Sequence, residues 1–506
     1  MKLLSPEDLD QLLPAATHAF PSPVPTQNVS SDEYLPRPQS LSQAQVQSRL
    51  AELADELAGR QGISRRRFFQ SASGMAASFL VMNEVYGALF AVTPAEAATP
   101  EMANARADAL QDQFIMDFHT HHLHEPLAPD VFQLFLGTRQ RARDAGWNPD
   151  IPNRPGTHAD LLYDNYIKEI FLDSDTKVAL ISSAPADSRD EYFLSNDAMV
   201  EDRRRTNAAA GSKRLYAHGI ITPGRPGWLD DLDRQIATTQ PDAWKGYTIG
   251  DPLVAVRKGH ISAYPWRMDD EKLVYPGYEK IARSGTRIVC VHKGLFPPSA
   301  EKAFPTLRNF ADVSDVGKAA RDWPQLTFVI YHAGYRHAGG GDPAVALAEY
   351  RRTGRIDWVS DLAEIPAKYG VNNVYGDIGQ SFAELIIAQP RLAAAFMGTL
   401  IKGLGADHVV WGTDALWTGS PQWQIEGLRR LEIPEDMQRQ FGFSPLGPAD
   451  GTIKNRIFGE NTARLYHHER TAAGPLRDKL SDIKIAYQQA GAAPTNLRYG
   501  YIRRPG

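Results

Sequence analysis

Cysteine occurs once in 506 residues, at Cys290, so no intramolecular disulfide framework holds this chain together. A surplus of one charge is also missing: 55 Lys and Arg stand against 60 Asp and Glu, a formal net charge of -5. Without a basic excess, nucleic acid and an anionic membrane surface are not expected partners. No stretch has the length and apolarity of a spanning helix, because the best one, residues 72–92, carries Asn83 and Glu84, and no stable membrane insertion is expected. The hydrophobic content of 42% and charged content of 23% are ordinary for a soluble globular protein. The length allows two or three domains, or one large barrel with additions.

What is present begins with a leader. Residues 1 to about 60 are rich in Pro, Ser, Gln and Asp, with one predicted helix over 41–60. Ser64-Arg65-Arg66-Arg67-Phe68-Phe69-Gln70 then precedes the weakly apolar stretch, and Ala95-Glu96-Ala97 offers a small-residue cleavage site. This arrangement resembles a bacterial twin-arginine export signal, although the leader before the arginines is longer than such signals usually have. The resemblance implies a partly disordered leader over 1–97, the twin-arginine export machinery as a partner, and a periplasmic or secreted location, with a cytoplasmic one as the alternative. The competing reading is an amphipathic helix with a basic start that packs on the body.

From Gln113 onward, short apolar strands alternate with helical stretches, the pattern of βα units around a parallel sheet. Strands are predicted at 114–118, 177–182, 214–221, 245–249, 287–291, 326–331, 373–378 and 408–411. Helices are predicted between them, among them 129–145, 157–172, 190–210 and 228–239. Eight such repeats fit an α/β fold of the (β/α)8 TIM-barrel type with enlarged loops, spanning 98–470, with a C-terminal tail over 471–506. A doubly wound open sheet is the runner-up, but no Gly-x-Gly-x-x-Gly follows the first strand. The polar insertion 251–275, with Tyr264 and Trp266, reads as a lid or as the contact of a homodimer.

Catalytic groups of such barrels sit at the C-terminal ends of strands. The first strand runs into Asp117-Phe118-His119-Thr120-His121, where alternation puts Asp117, His119 and His121 on one face. The fifth ends at His292, the sixth at His332 and the eighth at Gly412-Thr413-Asp414. A lone histidine after a strand is more often buried packing than a ligand, and a Gly-Thr-Asp is commonly a helix cap. Their coincidence on one rim points instead to a divalent metal, which takes neutral imidazole and carboxylate together.

These pieces resemble the amidohydrolase superfamily, in the branch typified by aminocarboxymuconate-semialdehyde decarboxylase. The likeness rests on Asp117–His121, Val291-His292-Lys293-Gly294, Tyr331-His332-Ala333-Gly334, Val374-Tyr375-Gly376-Asp377, Trp411-Gly412-Thr413-Asp414 and the closing Ile457–Tyr466, and covers roughly residues 112–467. It implies one divalent ion, foremost Zn2+, held by His119, His121, His292 and Asp414, with His332 and Asp414 as catalytic acid/base or polarising groups. Many two-metal relatives use a lysine at the end of the fourth strand. Here Lys245 stands at the start of the predicted one, so a mononuclear site is expected.

Around that centre, Lys293, Arg336 and Trp417 are candidate substrate contacts. Asp117 reads either as a carboxylate receiving an N–H from a ligand imidazole or as a buried structural acid. His122, His124, His158, His218 and His260 read as surface or core, and Cys290 as inert packing inside the barrel. The expected function is a metal-dependent hydrolase acting on a C–N or C–O bond of a small-molecule substrate. A metal-dependent decarboxylase (carboxy-lyase) of a small aromatic or unsaturated acid is the first alternative. An exported binding protein without catalysis is the second.

Overall fold

The computed structural model describes residues 12–14, 22–28, 37–131, 161–338, 341–417, 420–469, 477–491 and 501–503. Most of the predicted helix 129–145 and His158 lie outside the described residues. Eight parallel strands follow one another around a single sheet: β1 Met116–Thr120, β2 Val178–Ile181, β3 Leu215–Ile220, β4 Ala243–Tyr247, β5 Ile288–His292, β6 Thr327–Tyr331, β7 Val374–Asp377 and β8 Val409–Val410. The sheet closes where β1 meets the chain beyond β8: Phe118 N–H donates to Trp411 O at 2.8 Å and Asp414 N–H to His119 O at 2.8 Å. This is the expected (β/α)8 barrel, with helices outside each strand pair.

The interior is packed rather than open. Met116, Phe118, Leu180, Tyr216, Cys290, Val329, Tyr331 and Val410 fill it together with Tyr466, which follows helix Asn461–Leu465. Burial pushes the Cys290 thiol up to about 12, so this cysteine is inert packing, as the sequence suggests. Two expectations about strand geometry change. β1 shifts its register against β2 between Asp117 and Thr120, so strict alternation does not carry through the metal motif. β4 begins two residues earlier than predicted, which moves Lys245 from the strand start to mid-strand, opposite Cys290.

The insertion 251–275 is anchored to the barrel by one of its aromatic residues. Trp266 is buried on the outer face of β4, where a side chain on Gly246 would stand 2.6 Å from its ring.

The segment expected to be a leader is folded from Leu41 onward. Helix Leu41–Gln61 starts with a capping box between Ser40 and Gln43 and stops at left-handed Gly62. Its buried stripe Val46, Leu50, Ala54 and Leu57 faces helix Ala72–Tyr86, which buries Phe79, Val81 and Met82 in the same core as Trp423, Ile425 and Leu428 of helix Gln422–Arg430. Gly74 lets the chain pass close to Phe68, whose carbonyl a Cβ there would meet at 2.3 Å. Arg430 donates to Glu96 Oε1 at 2.6 Å, and Ala91 N–H to Arg430 O at 2.7 Å. The expected cleavage site is thus buried at Glu96 and Ala97, while Arg65, Arg66 and Arg67 are exposed. Among the described residues, no helix is long and apolar enough to cross a membrane.

Candidate metal centre

Beyond the irregularity in β1, His119 and His121 turn toward the C-terminal rim and meet Asp414 from the chain beyond β8. The two Nε2 atoms stand 2.9 Å apart, and each is 3.1 Å from Asp414 Oδ1. All three side chains are buried. The protonation of the rings follows from their other nitrogens. His119 Nδ1–H donates to Asp377 Oδ2 at 2.9 Å, and His121 Nδ1–H donates to the Ser182 carbonyl at 2.7 Å. Carboxylate and carbonyl oxygens only accept, so each ring carries a proton on Nδ1 and, when neutral, turns an Nε2 lone pair inward. Two lone pairs and a carboxylate oxygen within 3.1 Å of one another repel unless a cation lies among them. The donor set fits a divalent ion of the zinc or manganese class.

The same convergence sets the acid–base behaviour. Burial alone would raise the Asp414 carboxyl, but His119 and His121 beside it hold it well below the usual carboxylate range. Burial likewise opposes charge on His119, and Asp414 with Asp377 reverses that and raises its pKa. The backbone is constrained here as well. Asp414, His332, Ala333 and Gln380 all have positive φ, at 62°, 59°, 47° and 53°. Four non-glycine residues in the left-handed region at one rim are held there by the surrounding packing.

Other expected residues divide. His332 is buried beside the triad, its ring centre 5.1 Å from that of His119, and Nδ1–H donates to Gly379 O at 3.0 Å. Its Nε2 is the nitrogen left available. Burial, then the neighbouring His119, lower its pKa to about 3, which keeps the ring neutral. Trp417 stacks on the His121 ring at 5.8 Å and 22°. His292 does not join the convergent triad: its ring stacks on Tyr247 at 4.2 Å and meets the His332 ring at 4.6 Å. The cause is its register, since His292 pairs directly with Tyr247 across β4 and β5.

Two expected substrate cations are committed elsewhere. Lys293 Nζ is fully buried between Asp315 at 2.8 Å and the Phe310 carbonyl at 2.8 Å, facing away from the barrel interior. Arg336 donates to Asp357 Oδ2 at 2.9 Å and also grips Glu301. Asp117 takes its structural reading: it accepts from Thr413 Oγ1 at 2.6 Å and from the Thr413 and His119 amides at 3.1 Å. The carboxylate that orients the His119 imidazole is Asp377, present in the quoted motif of β7 without a role assigned to it. Two glycines make room for it, since a Cβ on Gly412 would stand 2.0 Å from Asp377 Oδ1 and one on Gly379 2.7 Å from His119 Nδ1.

Lys245 is the residue whose position sequence reading misplaced. Its ammonium is buried inside the barrel without a hydrogen-bond partner, 2.6 Å from the Tyr331 ring centre. Burial brings its pKa down to about 7. His218, expected as surface or core, is core, bonded to the Tyr466 hydroxyl at 2.9 Å.

The amidohydrolase family profile matches residues 116–467, well over half of the chain. The chain belongs to the amidohydrolase family. No curated protein sequence is significantly similar to it. Among solved structures, this amidohydrolase is similar to 5-carboxyvanillate decarboxylase from Sphingomonas paucimobilis, at 14% identity and TM-score 0.40, over 70% of this chain and 99% of that one. A dihydroxybenzoic acid decarboxylase from Polaromonas, solved with bound manganese and 2-nitroresorcinol, matches at 13% identity and TM-score 0.39, over 71% and 98%. A probable 2-pyrone-4,6-dicarboxylic acid hydrolase from Acinetobacter baumannii matches at 11% identity and TM-score 0.35, over 70% and 99%.

Proposed function

We propose that this amidohydrolase is a metal-dependent decarboxylase of a small aromatic or unsaturated carboxylic acid. The observation that carries the reading is the aromatic wall against the candidate metal centre. Trp417 lies flat on His121, Phe193 stands edge-on to Trp417 at 5.8 Å, and Tyr247 lies flat on His292. Flat apolar faces beside buried imidazoles suit a planar conjugated substrate better than a flexible peptide or ester. Lys293 and Arg336 are both held by other carboxylates, so neither is free to receive a substrate carboxylate, and the bound ion would take that part.

His119, His121 and Asp414 would hold the ion, with Asp377 and the Ser182 carbonyl fixing the two rings. When bound, such an ion acts as a Lewis acid that anchors and polarises substrate oxygens. The chain supplies the proton handling. As the carboxylate carbon departs as carbon dioxide, the bonding pair stays on the substrate carbon and takes up a proton that originates in solvent and is passed through His332 Nε2 or Asp414, both unprotonated at rest. Zinc is the ion we favour from two imidazoles and one carboxylate, with manganese as the alternative for the same donors.

A hydrolase working on a C–N or C–O bond is the second reading, favoured by the pairing of a neutral imidazole at His332 with a carboxylate at Asp414 on one rim. The two are separated by product. Protein reconstituted with zinc or with manganese is incubated with hydroxylated benzoates and conjugated acids, and in parallel with lactones, amides and esters. Release of carbon dioxide from the acids, absent in Asp414→Ala, is expected. Turnover of the second panel without any carbon dioxide would replace the decarboxylase with the hydrolase.

A further inference from the structure

A second group of metal-ligating side chains lies where the chain leaves β6. His337 comes from the turn after that strand, Glu349 from helix Pro343–Thr353, and Asp357 from the link to helix Val359–Tyr369. Each offers one ligand atom, and the three atoms lie within 4.8 Å of one another. His337 is only 4% exposed, and its Nε2 is buried with no hydrogen-bond partner. Glu349 and Asp357 are about one-third exposed, at 33% and 34% of their side chains, which leaves an ion a route in from solvent.

A buried imidazole this close to two carboxylates should satisfy its nitrogens with hydrogen bonds if nothing else occupied the space, because an unpaired buried polar atom is costly. None forms here. Ligands of one divalent ion stand roughly 3–4.5 Å from each other when the bonds to the ion are about 2.0–2.3 Å, a spacing compatible with the one seen. The local charge does not forbid it. Arg336 bonds Oδ2 of Asp357 and leaves Oδ1, and its other arm is taken by Glu301. Arg352 approaches Glu349 only at 3.7 Å and is 72% exposed.

We propose that His337, Glu349 and Asp357 form a second divalent-cation site, separate from the His119, His121 and Asp414 centre. One nitrogen and two carboxylate oxygens, completed by water, suit an ion of the zinc or manganese class. The site joins three consecutive pieces of chain just after His332. Its role is to clamp the segment leaving β6 onto the helix that follows, and it takes no part in the reaction.

The test is metal stoichiometry on the full chain, stripped with chelator and titrated with zinc alone, followed by calorimetry, and with cobalt, followed by visible absorption. Wild type is expected to bind two ions. His119→Ala should retain one, and its melting temperature should still rise with zinc. His337→Ala and, separately, the milder surface change Glu349→Gln should each lose the other ion while keeping the one dependent on His119. A wild type whose single ion His119→Ala loses, or a second ion kept undiminished by Glu349→Gln and by His337→Ala, overturns the proposal. Glu349→Gln keeps the test decisive if His337→Ala fails to fold.

Discussion

At the candidate centre, a single hydrogen bond decides what each imidazole can do. His119 presents Nε2 inward because Asp377 takes its Nδ1 proton, and His121 does so because the Ser182 carbonyl takes the other. Replacing Asp377 with Asn would weaken that hold without removing a ligand. A 10–100-fold loss of metal affinity is expected, measured by competition with a chelator, and unchanged affinity would mean that the carboxylate plays no part in orienting the ring. His332→Ala should keep its metal content but lose about 10²–10⁴ in rate, since the ring lies beside the triad and outside it. Metal lost together with rate would make His332 a ligand. The meeting of His119, His121 and Asp414 on one rim was legible because strand-end placement needs only an apolar run and a spacing. Lys293 and Arg336 were misread because their partners, Asp315 and Asp357, lie 22 and 21 residues further on and only folding brings them close. Asp377 carried a visible signal, a carboxylate ending a strand, but nothing in the sequence said which histidine it would face.

The strands and helices are where the sequence spoke most plainly, and where small boundary errors had large consequences. All eight barrel strands fall within the apolar runs that announced them or begin within two residues of them. At β4 that small shift carried Lys245 into the barrel, changing a bystander into a buried cation beneath the candidate centre. In β1 the register shift broke the alternation on which a shared face for Asp117, His119 and His121 relied. Neither is recoverable from hydrophobic period alone, because both depend on the pairing of neighbouring strands. Gly412 is the strand-end residue with the least freedom. A methyl group there would overlap Asp377 and lie 2.8 Å from His119 Cβ. Gly412→Ala is therefore expected to reduce metal retention at least as strongly as Asp377→Asn, with normal affinity as the contrary result.

Across the whole molecule, the N-terminal helices and the barrel share one core. Starting the chain at Ala98, as a cleaved leader would, removes Phe68, Phe69, Phe79, Val81 and Met82 from that core. Burial of each is worth about 1.5–3 kcal/mol, so the shortened protein should be insoluble or melt far below the full chain. Equal melting temperatures would restore the reading of 1–97 as a dispensable leader. An ion pair between a buried arginine and a partly exposed aspartate ties the region together. Asp175, just before β2, accepts from Arg429 at 2.6 Å, and Arg429 also reaches the Leu110 carbonyl that ends the N-terminal helices. Burial would raise the Asp175 carboxyl, but Arg429, Lys484 and Lys177 together outweigh it and lower the pKa to about 2. A carboxylate with a depressed folded-state pKa stabilises the fold above its unfolded value near 4, and that contribution disappears as the pH falls toward 2. It amounts to about 2 kcal/mol. Asp175→Asn should lose it at pH 7 and flatten the fall in stability between pH 4 and 2, measured by urea unfolding. An unaltered acid limb would show that the pair does not govern it.

The central claim is that His119, His121 and Asp414 converge because they hold a divalent ion. Elemental analysis of the purified full chain beside His119→Ala, both reconstituted with zinc and dialysed together, tests it most directly. The account predicts that the wild type retains an ion that His119→Ala loses. Equal metal content in the two proteins, or no retained metal in either, would contradict it.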